Sequence, residues 1–263
     1  MHLNENNYFS KEANLEYMSA SQFKNFQKCE AMAMAEINEE YEKEKSDALL
    51  LGSFVDEVLT GTNESYSEFI NENYSRLFKK NGEPRAEIEK AITAVEKVKQ
   101  QPLMMHLLSG EHQTIMTGEI DNVPVKIKMD SYKPGEFIAD LKYMKSLRSP
   151  NLFDSMVKYW GYNTSMAIYQ EIVYQNTGKR LPVYLVIATK ETPCHLEVCE
   201  IKQYDLDEAL ENVKKNIKRY QLIKDGEIEP ERCEEYDCAY CTETRILTEP
   251  IDSNLLGMTR KDV

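Results

Sequence analysis

The sequence has no surplus of positive charge: 32 Lys and Arg stand against 45 Asp and Glu, a formal net charge of −13. That balance excludes capture of nucleic acid through a broad basic surface, so any binding of phosphates has to be local. No apolar run approaches the length that crosses a bilayer, and the opening MHLNENNYFSKEANLEYM lacks the basic start and apolar stretch of a secretion signal. A cytoplasmic protein with no membrane partner is expected. Histidine is scarce, and His106, His112 and His195 lack ligand-like spacing with one another, which gives them no metal role. Repeats and low-complexity tracts are absent. With 263 residues, 41% of them hydrophobic, and no shift in composition, the expectation is one domain over 1–263 with an N-terminal helical part and a Cys-containing tail.

Hydrophobic periodicity predicts an α/β fold. Leu50, Leu51, Phe54, Val55, Val58 and Leu59 form one stripe of a helix from Asp47 that Gly61 ends. The polar stretch NENYSRLFKKNGEPR reads as a loop, and Pro84 opens a helix over AEIEKAITAVEKVKQ. Strands over 113–120, 123–130 and 136–143 read as a meander, followed by a long crossover helix over 153–175 and a buried strand over 181–189. An edge strand over 194–201 and an amphipathic helix carrying Leu206, Leu210, Val213, Ile217 and Tyr220 complete the order. Trp160 is expected in the core.

The segment VPVKIKMDSYKPGEFIADLKYMKS carries the chemistry. In its first half Val123, Val125, Ile127 and Met129 alternate with Lys126, Lys128 and Asp130, so Asp130 faces away from the core. Pro134 and Gly135 make the turn, and the second half puts Asp140 and Lys142 on one face. A hairpin of this length brings Asp130 beside Asp140, where two hard carboxylates would hold Mg²⁺ or Mn²⁺ with the Lys142 ammonium next to the bound water. Such a grouping suits metal-dependent cleavage of a phosphodiester. The plain alternative is a solvated hairpin with a surface ion pair, since an Asp-x-Lys triplet arises by chance in a chain this rich in charge. Lys145 and Arg148, directly after the second strand, are the candidate phosphate contacts, ahead of Lys79, Lys80 and Arg85 in a loop and Lys214, Lys215, Lys218 and Arg219 on the late helix.

Six cysteines without a secretion signal argue against a disulfide framework. Cys233, Cys238 and Cys241 cluster in RCEEYDCAYC, and Cys29 is the candidate for a fourth ligand. Reduced thiols without metal and a zinc site both remain open, and Cys194 and Cys199 read as packing residues of the edge strand.

Asp130 followed by Asp140-Leu141-Lys142 after a turn resembles the PD-(D/E)XK nuclease signature. The flanking segments are similar to the phage-type exonucleases related to RecE and lambda exonuclease, with a RecB-like nuclease domain. SASQFKNFQKCEAMAMAEI resembles the family's opening helix, and ALLLGSFVDEVLTG the helix that turns an acid toward the metal. WGYNTSMAIYQEIV resembles the helix after the catalytic strands, with Tyr169 matching and Ser165 in place of the usual glutamine. LPVYLVIATKETP resembles the buried fourth strand, with Lys190 matching and Thr189 in place of the usual acid.

This resemblance implies a restriction-endonuclease-like core, a mixed central sheet flanked by helices. It implies metal ligands at Asp130, Asp140, the Leu141 carbonyl and Asp56, with Glu57 competing one residue around the helix, and a role for Lys142 on the attacking water. Glu119 is a further acid nearby in sequence. Tyr169 is implied as a DNA contact, with the adjacent polar Gln170 as a candidate. A [4Fe-4S] centre on Cys29, Cys233, Cys238 and Cys241 is implied by the layout of some relatives. The expected activity is a divalent-metal-dependent deoxyribonuclease, an exonuclease on double-stranded DNA ends in phage-type recombination. A homo-oligomer and a single-strand annealing protein are the implied partners. The alternatives are a catalytically degenerate nuclease fold serving as an interaction module, and an endonuclease on the same fold.

Overall fold

A computed structural model describes residues 1–42, 46–150, 154–233, 235, 238–247, 250 and 252–253. The chain forms two compact units, one of Met1–Lys43, Glu119–Lys126 and Glu211–Val263, the other of Glu44–Gly118 and Ile127–Leu210. Among the described residues no helix is long and apolar enough to cross a membrane.

The second unit holds the sheet. Its strands are β3 (Ser131–Lys133), β4 (Phe137–Met144), β5 (Val183–Thr189) and β6 (Leu196–Ile201), in the order β3-β4-β5-β6. β3 and β4 are antiparallel, β4 and β5 parallel, and β5 and β6 antiparallel, so the sheet is mixed. The parallel pair requires a crossover. The chain provides it with α8 (Met156–Tyr159) and α9 (Tyr162–Thr177). The core joins Leu50, Leu51, Phe54 and Val55 of α4 (Asp47–Thr60), Leu77 of α5 (Asn63–Leu77) and Ile88, Ala91, Val95 and Val98 of α6 (Ala86–Lys99). Met104 and Leu107 of α7 (Pro102–Leu107), Ala139 and Leu141 of β4, and Val186 and Ala188 of β5 complete it.

Three expectations change. The meander divides: β1 (Thr114–Ile120) and β2 (Val123–Met129) pair in their own two-stranded sheet, and the chain breaks at Asp130 before β3 joins β4. The long crossover helix is interrupted at Gly161, whose left-handed φ of 64° caps α9, and Trp160 just before it is 47% exposed. Trp160 stacks edge-on with Tyr159 at 5.0 Å and is no core residue. The first part of the segment read as a loop after residue 70 is helix, up to Leu77, because Tyr66, Phe69, Ile70 and Leu77 space an apolar stripe along α5 against the core.

The first unit contains α1 (Lys11–Glu16), α2 (Ala20–Lys28), α3 (Glu30–Ile37), the C-terminal part of α10 (Gln203–Lys224) and α11 (Ala239–Glu243). Ser19 closes a capping box with Gln22 at the start of α2. Phe23 and Phe26 of α2 pack on Tyr220 of α10, with centroids 5.3 and 5.1 Å away. Lys126, placed by alternation on a polar face, is buried here, its ammonium donating to the Tyr8 and Asn14 oxygens and lying over the Tyr8 ring. Lys224 is also buried and donates to the Tyr17 carbonyl at 2.9 Å.

Candidate active site and cysteine centre

The β3–β4 hairpin fixes the centre of the site. Lys133, Pro134, Gly135 and Glu136 form its turn, with a 3.0 Å hydrogen bond from Glu136 N–H to the Lys133 carbonyl and Gly135 at φ 78°. The register pairs Lys133 with Phe137 and Ser131 with Ala139. One step further along, Asp130 stands level with Asp140, and its Oδ2 accepts the Leu141 N–H at 3.0 Å. Asp140 is 4% exposed, and its Oδ2 is buried against the Lys142 ammonium. That ammonium also donates to the Leu141 carbonyl at 3.2 Å and lies 5.7 Å from the centroid of the Tyr162 ring, at the start of α9.

α4 adds the third carboxylate. Asp56 Oδ1 accepts from Thr60 Oγ1 at 2.9 Å and Oδ2 accepts from Gln113 Nε2 at 3.1 Å. Glu57 is engaged elsewhere, on Ser65 Oγ at 2.7 Å, so of the two adjacent acids Asp56 is the one near Asp130, Asp140 and Lys142.

The electrostatics are strained in the direction a cation would relieve. Burial, then the nearby Asp140, pushes the Asp130 carboxyl up to about 8. Burial also raises Asp56, with Glu57 and Asp140 adding to it against the Thr60 hydrogen bond. For Lys142, burial opposes the charge, but Asp140 and Asp130 outweigh it and hold the ammonium above its ordinary value. Facing these two carboxyl groups, Lys142 is placed as a hydrogen-bond donor. Three carboxylates and a backbone carbonyl make an all-oxygen donor set, which fits a hard divalent ion such as Mg²⁺ or Mn²⁺.

Thr60, His112, Gln113 and Tyr162 at this site were not singled out for it by the sequence. Glu111 and Tyr132 exchange backbone hydrogen bonds of 2.6 and 2.9 Å, and Gly110 N–H donates to Ser131 Oγ at 3.1 Å. This seam brings His112 Nδ1 to 3.0 Å from the Asp130 carbonyl and turns Gln113, at φ 52°, onto Asp56. A β-branched or bulky residue at Gly110 is excluded, since a Cβ there would lie 2.6 Å from the Tyr132 carbonyl oxygen.

The structure does not bring all the candidates to this place. Gln170 is 2% exposed, donating to the Leu181 carbonyl at 2.8 Å and exchanging hydrogen bonds with Gln203. It is a core amide, not a DNA contact, because the inward face of α9 holds the polar partners it needs. Tyr169 is half-buried on the same helix, while Lys145 and Arg148 are exposed beyond β4. Lys79 pairs with Glu83, Lys214 with Glu211, Lys218 with Asp121, and Arg219 with Glu30, so much of the remaining basic charge is consumed in ion pairs. Glu119 is exposed on β1. Thr189 is buried and accepts the His195 N–H at 3.0 Å, a structural use for the position where relatives carry an acid.

In the first unit Cys29, Cys233, Cys238 and Cys241 converge, with their sulfurs all within 4.8 Å of one another. Cys29 lies between two helices, not inside one: it ends α2 and caps α3, its Sγ accepting the Met32 N–H at 3.5 Å. Burial raises the Cys233 and Cys238 thiols. The set is compatible with metal binding.

Residues 19–244 match the model of a family described as a PDDEXK-like domain of unknown function (DUF3799). The chain belongs to this PDDEXK-like family. A solved structure, described as a "Putative exonuclease" from Eubacterium rectale, shares 39% sequence identity with it at a TM-score of 0.90, over 98% of this chain and 99% of the other. No curated protein matches the sequence. Membership accounts for the mixed sheet flanked by helices and identifies the protein as nuclease-like, of a fold whose members generally use divalent metals and act on DNA.

Proposed function

We propose that this PDDEXK-like protein is a divalent-metal-dependent deoxyribonuclease, acting as an exonuclease on double-stranded DNA ends. The observation that carries the reading is the convergence of Asp56 of α4, Asp130 at the break between β2 and β3, and Asp140 of β4 around Lys142. A structural ion pair needs one carboxylate, and burying three beside one lysine costs stability unless a cation is to be bound there. The intact trio also disfavours a degenerate module.

Asp130, Asp140 and Asp56, with the Leu141 carbonyl, would hold Mg²⁺ or Mn²⁺. That ion supplies Lewis acidity at the phosphate and a nucleophilic water at neutral pH. Lys142, kept protonated by its two carboxylate neighbours, donates a hydrogen bond that orients the water and offsets charge on the phosphate oxygens. The ammonium, donating to the Leu141 carbonyl and lying over the Tyr162 ring, is held beside Asp140. Gln113 and Thr60 fix both oxygens of Asp56. Lys145 and Arg148, exposed next to β4, serve the substrate backbone, with the half-buried Tyr169 of α9 as a further contact. One nuclease domain over 1–263, a homo-oligomer that stays on its substrate, and use beside an annealing protein in phage-type recombination complete the reading that family resemblance supports.

The test is release of nucleotides from linear and from closed circular duplex DNA, with Mg²⁺ or Mn²⁺, by the native protein and by Asp140→Asn. Release from linear DNA alone, lost in the variant, is the expected result. Cutting of closed circles would make the protein an endonuclease, and no cutting of either by folded, metal-supplied protein would leave the interaction module.

A further inference from the structure

The cysteine centre is set by different chemistry from the carboxylate site, and its sulfur spacing discriminates between two kinds of metal centre. Cys29 Sγ lies 3.6 Å from Cys241 Sγ, and Cys233 Sγ lies 3.8 Å from Cys241 Sγ. All four cysteines are free thiols. Four thiolates bound tetrahedrally to one zinc ion at about 2.3 Å stand about 3.8 Å from one another. In a [4Fe-4S] centre each thiolate binds a different iron at an outer corner of the cube, which separates the sulfurs by roughly 6 Å. Sulfurs that all fall within 4.8 Å match the first geometry and are too close together for the second.

We propose that Cys29, Cys233, Cys238 and Cys241 form a mononuclear tetrahedral Zn²⁺ site, in place of the iron-sulfur cluster that family resemblance implies. Zinc is the ion of choice for four soft thiolates in a closed tetrahedral shell. The surroundings are those of a structural site. Cys29 and Cys241 are buried, and the Met32 N–H fixes the orientation of Cys29. Arg232 donates to the Cys241 carbonyl at 2.8 Å and lies over the Tyr240 ring, which in turn meets Tyr41 edge-on at 5.3 Å.

The fold shows why an ion is needed there. Beyond α10 the only helix among the described residues is the five-residue α11, and the buried cluster among them is Cys29, Ala31, Met32 and Cys241, with Tyr41, Cys233, Cys238 and Tyr240 packed against it half-buried. So small an apolar cluster cannot by itself hold a segment of chain, and small units are commonly stapled by a metal. The ion would clasp the junction of α2 and α3 to the segment around α11. A second clasp lies beside it, where Glu30 accepts both Arg219 and the Glu231 N–H, and the Ala31 N–H meets the Glu231 carbonyl at 3.0 Å.

The test is elemental analysis, acid-labile sulfide and visible absorption of the full chain, purified anaerobically without chelators from cells supplied with both iron and zinc. About one zinc per chain, with neither sulfide nor visible absorption, is expected. Iron in the preparation, with or without sulfide, would overturn the proposal. Because Cys→Ser variants can fail to fold, the second arm uses the native chain stripped of metal and titrated with Co²⁺. The intense visible bands of a tetrahedral thiolate site, saturating at one equivalent and abolished by Zn²⁺, are expected; a protein that arrives metal-free and gives no such bands refutes the site. Limited proteolysis reads the clasp: stripping metal should expose the chain beyond residue 228 to cleavage, and Zn²⁺ should restore protection. Cleavage unchanged by metal would refute the structural role.

Discussion

The carboxylate site and the cysteine site each gather side chains that repel or compete when left alone, but they are built in opposite ways. The carboxylates sit on a rigid frame: a four-residue turn, a sheet register and a core helix place Asp130, Asp140 and Asp56, and the backbone would hold them there with or without a ligand. The cysteines sit where secondary structure is sparse, on a helix junction and around a five-residue helix. A reactive centre benefits from a frame that keeps its geometry when the ion exchanges with solvent and substrate, whereas a structural centre can let the ion create the geometry. Removing divalent ions should therefore silence the first site without unfolding it and loosen the chain around the second.

The sharpest way to break this contrast is at Asp130. Replacement by Asn keeps an acceptor for the Leu141 N–H but removes a half-buried carboxyl, its pKa raised to about 8, that faces Asp140. Nuclease activity should fall by about 10³-fold or more, while the melting temperature in EDTA rises by a few degrees. A variant that melts lower would show that the carboxylate is part of the scaffold, not a strained ligand.

Gly110→Ala probes the frame itself. The new methyl group meets the Tyr132 carbonyl at 2.6 Å and Ser131 Oγ at 2.7 Å, so the 110–113 seam must move. A loss of about 1–3 kcal/mol in chemical denaturation is expected, with reduced activity because His112 and Gln113 shift away from Asp130 and Asp56. Gln113→Ala is gentler: it frees one oxygen of Asp56 and should cost about 10-fold in activity with little change in stability.

The smallest effect concerns the first unit and pH. Burial lowers Lys126 to about 8, and burial with the Lys126 charge lowers Lys224 to about 7, against a small opposing pull from Asp225. A lysine depressed in the folded state binds fewer protons than in the unfolded chain between its folded value and about 10.4. The contribution of these two lysines to stability should therefore rise as pH is raised from about 7 toward 10, while Asp130, held protonated up to about 8, contributes a fall with rising pH below that value. Lys224→Met should flatten the rise between about pH 8 and 10; a variant that keeps the native slope there would contradict the assignment.

The juxtaposition of Asp130 and Asp140 in the candidate site was legible in the sequence because a period-two pattern and a Pro-Gly turn leave them little freedom. Cys233, Cys238 and Cys241 were legible from their spacing, while the candidacy of Cys29 leaned on family resemblance. Contacts that depend on the chain meeting itself were hidden: nothing in GEHQ announces that Glu111 will pair with Tyr132 and carry Gln113 to Asp56. Gln170 and Lys126 misled for a shared reason, since a polar side chain enters a core whenever backbone carbonyls or an amide are waiting for it. Trp160 misled because a single left-handed glycine restarts the helix after it.

The most direct measurement follows nucleotide release from linear duplex DNA with Mg²⁺ by native protein and Asp140→Asn, with zinc content determined on the same samples. The account predicts release by the native protein, loss of about 10³-fold in the variant, and about one zinc per chain in both. Undiminished release by Asp140→Asn, or no release by native protein in Mg²⁺ or Mn²⁺, would contradict it.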